Sequence, residues 1–241
     1  MSGALFSAQA EKFSDESVNY NIYFKVGFIH KQAGRAKLIL QNDGNRYSAA
    51  LYARTEPWAD RFYRVRDTLL SSFDIHTLAP VRYQRIAHEG GRYAWDIIRF
   101  SHDGNTVNGD CKRYRRGKKD KETSESTLSL TAQGVTVDLL SSFYYIRSFD
   151  YLSLKPGDTR TVNIFSGKRK ELLKITYLGK ETIKINKEKV DTYKINFTFT
   201  SEGKKKTSDP IEAWLSISPG HIPLKLVGHL KIGQIQCFYA P

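Results

Sequence analysis

Basic side chains cluster at three places in the sequence, and each cluster could bind a phosphate or sulfate group. The densest covers residues 112–121, and the others cover residues 168–170 and 204–206. Each lies next to a predicted turn, where charge is also typical of a solvated hairpin tip that binds nothing. If the three tips share one end of the fold, we expect them to form a cationic rim. The candidate ligand-binding residues in the densest cluster are Arg113, Arg115, Arg116, Lys118 and Lys119.

Three further candidate ligand-binding residues, Phe143, Tyr144 and Arg147, lie in an almost entirely apolar stretch. Arg147 is the one cation of that stretch. A buried guanidinium group needs a partner, so we expect it to pair with a carboxylate such as Asp150 or Asp158. The alternative is that Arg147 reaches an anionic ligand.

The stretch that carries these residues, 139–149, predicts a short helix because its apolar side chains recur at helical spacing. Asp138 can accept hydrogen bonds from the free N–H groups of the first turn. Pro156 and Gly157 then end the helical segment. In a chain that otherwise alternates like β-strands, such a helix is expected to plug or cover a curved sheet.

The rest of the chain alternates between apolar and polar residues, as over residues 17–28, and turn signals such as 42–45 separate the segments. No linker rich in Pro, Gly or Ser interrupts the series. The fold class is therefore predicted to be all-β: a large antiparallel meander sheet folded on itself into a barrel-like shape, with one short central helix. The strands predicted beyond the helix cover residues 159–166, 172–178, 181–185, 190–200, 211–218, 224–230 and 233–239.

The composition is that of an ordered globular protein with an unusual formal net charge of +13. Such a charge implies attraction to polyanions such as anionic lipid head groups, acidic polysaccharide or nucleic acid. We do not expect nucleic acid, because only Tyr114 is interleaved with the basic residues as a stacking aromatic. The two cysteines, Cys111 and Cys237, exclude a disulfide-rich scaffold, and either one bridge or two free thiols is open.

The sequence lacks the spacings that mark a metal site or a catalytic centre. None of its six histidines has a metal-ligand spacing, and Ser141-Ser142 is not part of a nucleophile elbow. The carboxylates lie mostly at turns, so no acid pair for sugar hydrolysis can be chosen from their spacing. We therefore predict no metal, no cofactor and no enzymatic activity.

The first ten residues end in Ala8-Gln9-Ala10, which is typical of a signal-peptidase cleavage site. We predict a signal-peptide remnant over residues 1–10 and a single β-barrel-like domain over 11–241. An ordinary terminal extension is the alternative. No segment approaches the ~18 consecutive apolar residues of a membrane-spanning helix, so no transmembrane helix is expected.

Several ordered fragments together resemble an exported bacterial family known only as domain of unknown function thirty-one-hundred-and-eight. The resemblance implies an envelope protein of Gram-negative bacteria, of the Bacteroidetes group, with a YmcC-like fold. It implies no activity and no catalytic residues, and residues 112–121 are not part of the pattern. The fragments that carry it are 18–20, 27–29, 33–34, 140–147, 154–158, 213–216, 222–225 and 232–235.

These observations favour a non-enzymatic module, periplasmic or associated with the outer membrane, that binds a lipid, a glycolipid or an acidic polysaccharide. A concave β face can hold such a ligand while the cationic tips contact its anionic groups. A scaffold or assembly partner of an envelope protein complex is the second hypothesis. An enzyme acting on cell-wall polymers is the third.

Overall fold

The computed structural model describes residues 12–118, 122–204 and 206–241, which form fifteen β-strands and two short helices. The helices are α1 (Pro57–Asp60) and α2 (Ser141–Arg147). The strands are β1 (Glu16–Val26), β2 (Ile29–Asn42), β3 (Arg46–Thr55), β4 (Val65–Asp74), β5 (Pro80–Glu89), β6 (Arg92–Asp103), β7 (Thr106–Arg116), β8 (Thr123–Gln133), β9 (Thr136–Asp138), β10 (Thr159–Phe165), β11 (Lys170–Ile185), β12 (Glu188–Ser201), β13 (Ile211–Ser216), β14 (Pro223–His229) and β15 (Gln234–Ala240).

All fifteen strands belong to one sheet, which curls into a nearly closed barrel. Strands β1 to β8 form one meander and β10 to β15 form another, and β1 joins them by pairing with β15. Every pair is antiparallel except β9 with β10. The predicted all-β meander, folded on itself into a barrel-like shape with a central helix, is confirmed.

The two outermost parts of the sheet meet along a seam that is closed by side chains. Phe165 of β10 packs on Gly109 of β7, where a Cβ atom would lie only 2.6 Å from the Phe165 ring. Asn163 Nδ2 donates to the Gln133 carbonyl at 2.9 Å. Lys170 Nζ donates to the Thr131 carbonyl at 3.2 Å. The seam thus depends on one glycine and two polar side chains.

Helix α2 is shorter than the predicted 139–149, because residues 139–140 form the turn that leads into it. Asp138 starts it as expected: its carboxylate accepts from the backbone N–H groups of Leu140 at 2.7 Å and Ser141 at 2.9 Å. The fully buried Asp138 carboxylate also accepts from Ser71 Oγ of β4. This contact fastens the helix to the wall of the barrel.

Two apolar clusters flank α2. One includes Leu140 and Tyr144 with β1 to β8, and the other includes Ile146 with β9 to β13. Because the helix fills only part of the interior, inward residues farther from it, such as Leu51 and Leu69, remain partly exposed. The barrel is thus packed near α2 and open beyond it.

Some local predictions differ from the structure. The turn predicted at Leu178-Gly179 is a bulge inside β11, where the pairing with β12 shifts register after Tyr177. Of the two alternatives left open for Cys111 and Cys237, the structure has two free thiols and no bridge. Residues 1–10 lie outside the described residues, and the division into a leader and one domain over 11–241 stays a prediction.

Candidate functional site: an apolar cavity beneath a basic rim

An apolar cavity of about 440 Å³ lies inside the barrel, above α2. Phe143 and Ile146 form its floor, and inward residues of β11 to β15 form most of its wall. Its volume is within the ~300–1,000 Å³ range of small-molecule sites. The remaining lining residues are Leu69, Leu139, Ser142, Leu173, Ile195, Phe197, Phe199, Ile211, Ala213, Leu215, Pro223, Leu226, Gly228, Ile235 and Cys237.

A second apolar cavity of about 180 Å³ adjoins the first. Phe143, Leu226 and Cys237 line both, so these three side chains form the partition between them. The smaller cavity extends toward β1 and β2, where Ile22 and Leu38 contribute to its wall.

The main cavity presents almost no hydrogen-bonding group to a ligand. The Ser142 hydroxyl donates to the Leu139 carbonyl at 2.8 Å. Burial raises the pKa of the Cys237 thiol to about 11, so the thiol is neutral at ordinary pH. A hydroxyl-rich ligand would lose its hydrogen bonds to water here without replacement, whereas an apolar chain would not.

The end of the barrel at which β1, β3, β5, β7, β10, β12 and β14 finish is called the open end. Wall residues near this end, including Phe199, Ile211 and Ile235, are half-exposed, whereas Ala213 and Leu215 near α2 are buried. The cavity is therefore reached by solvent from the open end.

The described parts of the three basic tips, residues 112–118, 168–170, 204 and 206, lie at the open end. The turn of the second tip packs on Asp96, because a Cβ atom at Gly167 would lie 3.1 Å from the Asp96 Cβ atom. Asp96 in turn accepts a hydrogen bond from Arg113 of β7, the strand that leads into the first tip. Lys170 Nζ of the second tip pairs with Glu202 Oε1 beside the third at 2.7 Å. The condition set for a cationic rim, a shared end of the barrel, is thus met by the described parts of the three tips, and the rim itself stays a prediction.

Arg113 and Arg115 lie on the inner wall and not on the exposed tip. Both contact Oδ1 of the buried Asp96, Arg113 through Nε at 3.1 Å and Arg115 through NH2 at 2.5 Å. The Asp96 carboxylate thus pairs with two guanidinium groups, while Arg85 beside it has two carboxylate partners, so the three cations of this inner wall match three carboxylates in number. Arg113, Asp96, Arg85 and the cavity residue Leu69 form one cross-strand row on the same face of the sheet.

Within this row, Arg85 contacts the carboxylates of Asp67 at 3.4 Å and Glu89 at 2.6 Å. Burial, followed by the neighbouring Glu89, raises the pKa of Asp67 to about 6. The inner wall at the open end is thus charged, whereas the cavity below it is apolar.

Arg147 has a structural ion pair, although its partner is neither Asp150 nor Asp158. Its guanidinium group forms a two-pronged pair with Glu16 of β1, at 2.5 and 2.7 Å, and donates to the Gly220 carbonyl at 2.7 Å. Its side chain is 1% exposed and does not line either cavity. The structure therefore favours the pairing alternative over ligand contact.

The other candidate residues have different positions. Tyr144 is fully buried and packs against Phe13 and Phe73. Arg116 stacks over the Tyr93 ring at 5.5 Å. Lys118 is exposed at the first tip, and Lys119 lies outside the described residues. Of the apolar and aromatic candidates, only Phe143 borders the cavity.

Within the described ranges, no group of three His, Cys, Asp or Glu side chains could hold a metal ion. In the same residues, no helix is both long and apolar enough to cross a membrane.

Over residues 19–238, the sequence matches the family described as Protein of unknown function (DUF3108). The chain belongs to this family. The resemblance found in the sequence is thereby confirmed. A comparison with curated proteins gives no match.

Among solved structures, the fold is similar to a beta-barrel-like protein of domain of unknown function DUF1849 from Brucella abortus. The TM-score is 0.63 at 8% identity, covering 96% of this chain and 98% of that chain. A protein from Bacteroides fragilis, described as exported and YmcC-like in fold, gives a TM-score of 0.40 at 7% identity, covering 95% and 97%. The first likeness supports the barrel fold, and neither description names a ligand or an activity.

Sequence reasoning missed the residues that build the cavity, above all Leu226, Cys237 and Leu69. Alternation identifies them as inward-facing but does not show that the opposite wall is too far away to pack against them. The inward position of Arg113 and Arg115 is predictable from the alternation of side chains along β7. Both share the parity of Cys111, which is buried in the same strand.

Proposed function

We propose that this protein is a non-enzymatic envelope module that binds a lipid, with the apolar chain of the lipid in the cavity above α2. The observation that carries the proposal is a cavity of about 440 Å³ whose wall is apolar and whose two polar side chains are internally bonded or neutral. This chemistry favours a lipid chain over a polysaccharide, because sugar hydroxyls would find no partners there.

The charged inner wall supports an anionic head group on that lipid. Arg113 and Arg115 share the single carboxylate of Asp96, and the row of Arg113 continues through Asp96 and Arg85 to Leu69 of the cavity wall. A lipid whose chain points toward α2 would have its head group near these guanidinium groups, where a phosphate or carboxylate gains charge-assisted hydrogen bonds.

Export to the envelope is part of the proposal. It is supported by the Ala8-Gln9-Ala10 pattern at the amino terminus and by the exported character that the sequence resemblance implies. The periplasm and the surface of the outer membrane are the proposed locations.

Titration with dansyl-labelled undecanoic acid tests the cavity. We expect saturable fluorescence enhancement with the natural chain. Binding should weaken about tenfold or more in Leu226→Trp, because Leu226 lines both cavities and the larger indole would occupy cavity space. Leu178→Trp, on the exposed outside of β11, is the matched control and should bind the probe normally.

Circular dichroism should show that both variants keep the β fold, and Ile235→Trp at the cavity mouth serves as a second blocking variant. The lipid proposal fails if the natural chain gives no saturable signal or if both blocking variants bind the probe unchanged. The scaffold hypothesis would then lead, and capture of envelope proteins would be the next measurement.

A further inference from the structure

Three neighbouring turns at the open end carry large apolar side chains that project into solvent. The most exposed are Phe28 at 99% in the β1–β2 turn, Phe62 at 82% after α1, and Ile232 at 72% in the β14–β15 turn. Each is accompanied by a second exposed apolar residue. These companions are Ile29, Tyr63 and Leu230. We call these six residues the apolar tips.

Contacts between the turns hold the apolar tips side by side. Gly233 packs directly on the backbone carbonyl of Lys25, which joins the β14–β15 turn to the β1–β2 turn. Trp58 Nε1 of α1 donates to the Gln32 carbonyl of β2 at 2.7 Å, and Lys31 Nζ lies 4.4 Å from the centre of the Trp58 ring. The three turns therefore lie side by side, and the six exposed side chains project from the same end of the barrel.

Cations surround the apolar tips. The segments 25–31, 57–64 and 229–233 contain five cations and one carboxylate, Asp60, which Arg66 pairs at 2.6 Å. The basic residues 168–170, 204 and 206 lie at the same end of the barrel. The five cations are Lys25, Lys31, Arg61, Arg64 and Lys231.

We propose that the open end docks on an anionic lipid bilayer, with the apolar tips inserted at the boundary between head groups and acyl chains. Separate turns that each project one or two apolar side chains suit a fluid bilayer, which needs no matching shape. The neighbouring lysine and arginine side chains would meet lipid phosphates, which strengthens binding to an anionic surface.

This inference goes beyond the proposed function, because docking would occur whether or not the cavity holds a chain. It also orients the molecule, since the cavity opens at the same end as the apolar tips. A docked barrel would place the cavity mouth against the bilayer.

Co-sedimentation with vesicles tests the docking. We expect the full chain to sediment with vesicles of phosphatidylglycerol and phosphatidylcholine, and to bind pure phosphatidylcholine at least about tenfold more weakly. Binding should fall as salt rises from about 0.1 to about 1 M, which shortens the Debye length from about 10 Å to about 3 Å. The variant Phe28→Ser/Phe62→Ser/Ile232→Ser should bind anionic vesicles about tenfold or more weakly.

The matched control is Leu152→Ser/Ile217→Ser, which removes two exposed apolar side chains at the opposite end and should sediment like the natural chain. Both variants should bind dansyl-labelled undecanoic acid normally, so loss of docking is separable from loss of the cavity or of the fold. The proposal is overturned if the natural chain ignores anionic vesicles, if the triple variant sediments equally well, or if the control loses binding to the same extent.

Discussion

At the scale of single residues, the charges inside the barrel are compensated locally. The Arg147–Glu16 pair joins α2 to β1, and the same guanidinium group reaches the turn before β14 through the Gly220 carbonyl. Buried pairs of this kind contribute little net stability relative to apolar residues, but removing one partner is costly. Their visible effect is to fix the position of the helix.

Replacing Glu16 by Gln should therefore destabilise the protein strongly. The Arg147 guanidinium would stay buried without its carboxylate, and we expect the free energy of unfolding to fall by about 3 kcal/mol in urea titrations. The double variant Glu16→Gln/Arg147→Met should lose less than the two single variants together. Additive losses would show that the two groups are not energetically coupled.

Asp67 should make stability depend on pH. Its pKa is raised to about 6 by burial and by Glu89, so between about pH 4 and pH 6 the folded state binds more protons than the unfolded state. The free energy of unfolding should accordingly fall as pH rises through this window, by an amount on the order of 2 kcal/mol. Urea titrations of Asp67→Asn should lack this decrease, and an identical slope in the variant would contradict the assignment.

At the scale of elements, α2 divides the interior of the barrel. One side of the helix packs into the cluster around Tyr144, another into the cluster around Ile146, and Phe143 points toward the unfilled space. A helix of seven residues cannot fill a fifteen-strand barrel, so the cavity follows from the mismatch between these two elements.

Phe143→Ala should join the two cavities. Because Phe143 borders both and is only half-buried, we expect a stability loss of about 1–2 kcal/mol, less than for a fully packed phenylalanine. Affinity for dansyl-labelled fatty acids should shift toward longer chains. An unchanged chain-length preference would show that Phe143 does not limit the space available to a ligand.

At the scale of the whole molecule, side-chain packing holds the barrel closed along the seam. The seam lies between the two outermost parts of the sheet, where the strand-to-strand pairing ends. Phe165 occupies the space that the missing side chain of Gly109 leaves, and the Ile98 side chain borders the same space. The shape of the barrel thus depends on a close approach between strands that are far apart in sheet order.

Gly109→Ala should destabilise the barrel by about 1–3 kcal/mol, because the new methyl group would displace the Phe165 ring. Gly228→Ala is the control, since its Cβ atom would meet only the Ile211 side chain at 3.9 Å. Thermal unfolding of the two variants compares them directly. Equal effects would mean that the seam tolerates extra volume.

The sequence predicted the fold better than the site, and the reason is physical. Alternation and turns are local, so the all-β meander and the position of α2 could be predicted from them. The partner of Arg147 could not, because Glu16 lies 131 residues away and separation along the chain says nothing about distance in space. The cavity depends on which inward side chains fail to meet, and that is a property of the closed barrel alone.

The pairing of β1 with β15 has a consequence for the order of folding. Asn19 faces Ala240 in that pair, so the centre of the sheet forms only when the two extremes of the described chain come together. Closing so long a loop early is entropically costly, and sheets dominated by distant pairings fold in roughly milliseconds to seconds. Until β15 is in place, β1 and β14 are two unpaired edges in the middle of the molecule, a state prone to edge-to-edge aggregation. The last of the fifteen described strands is therefore the one that makes the sheet continuous.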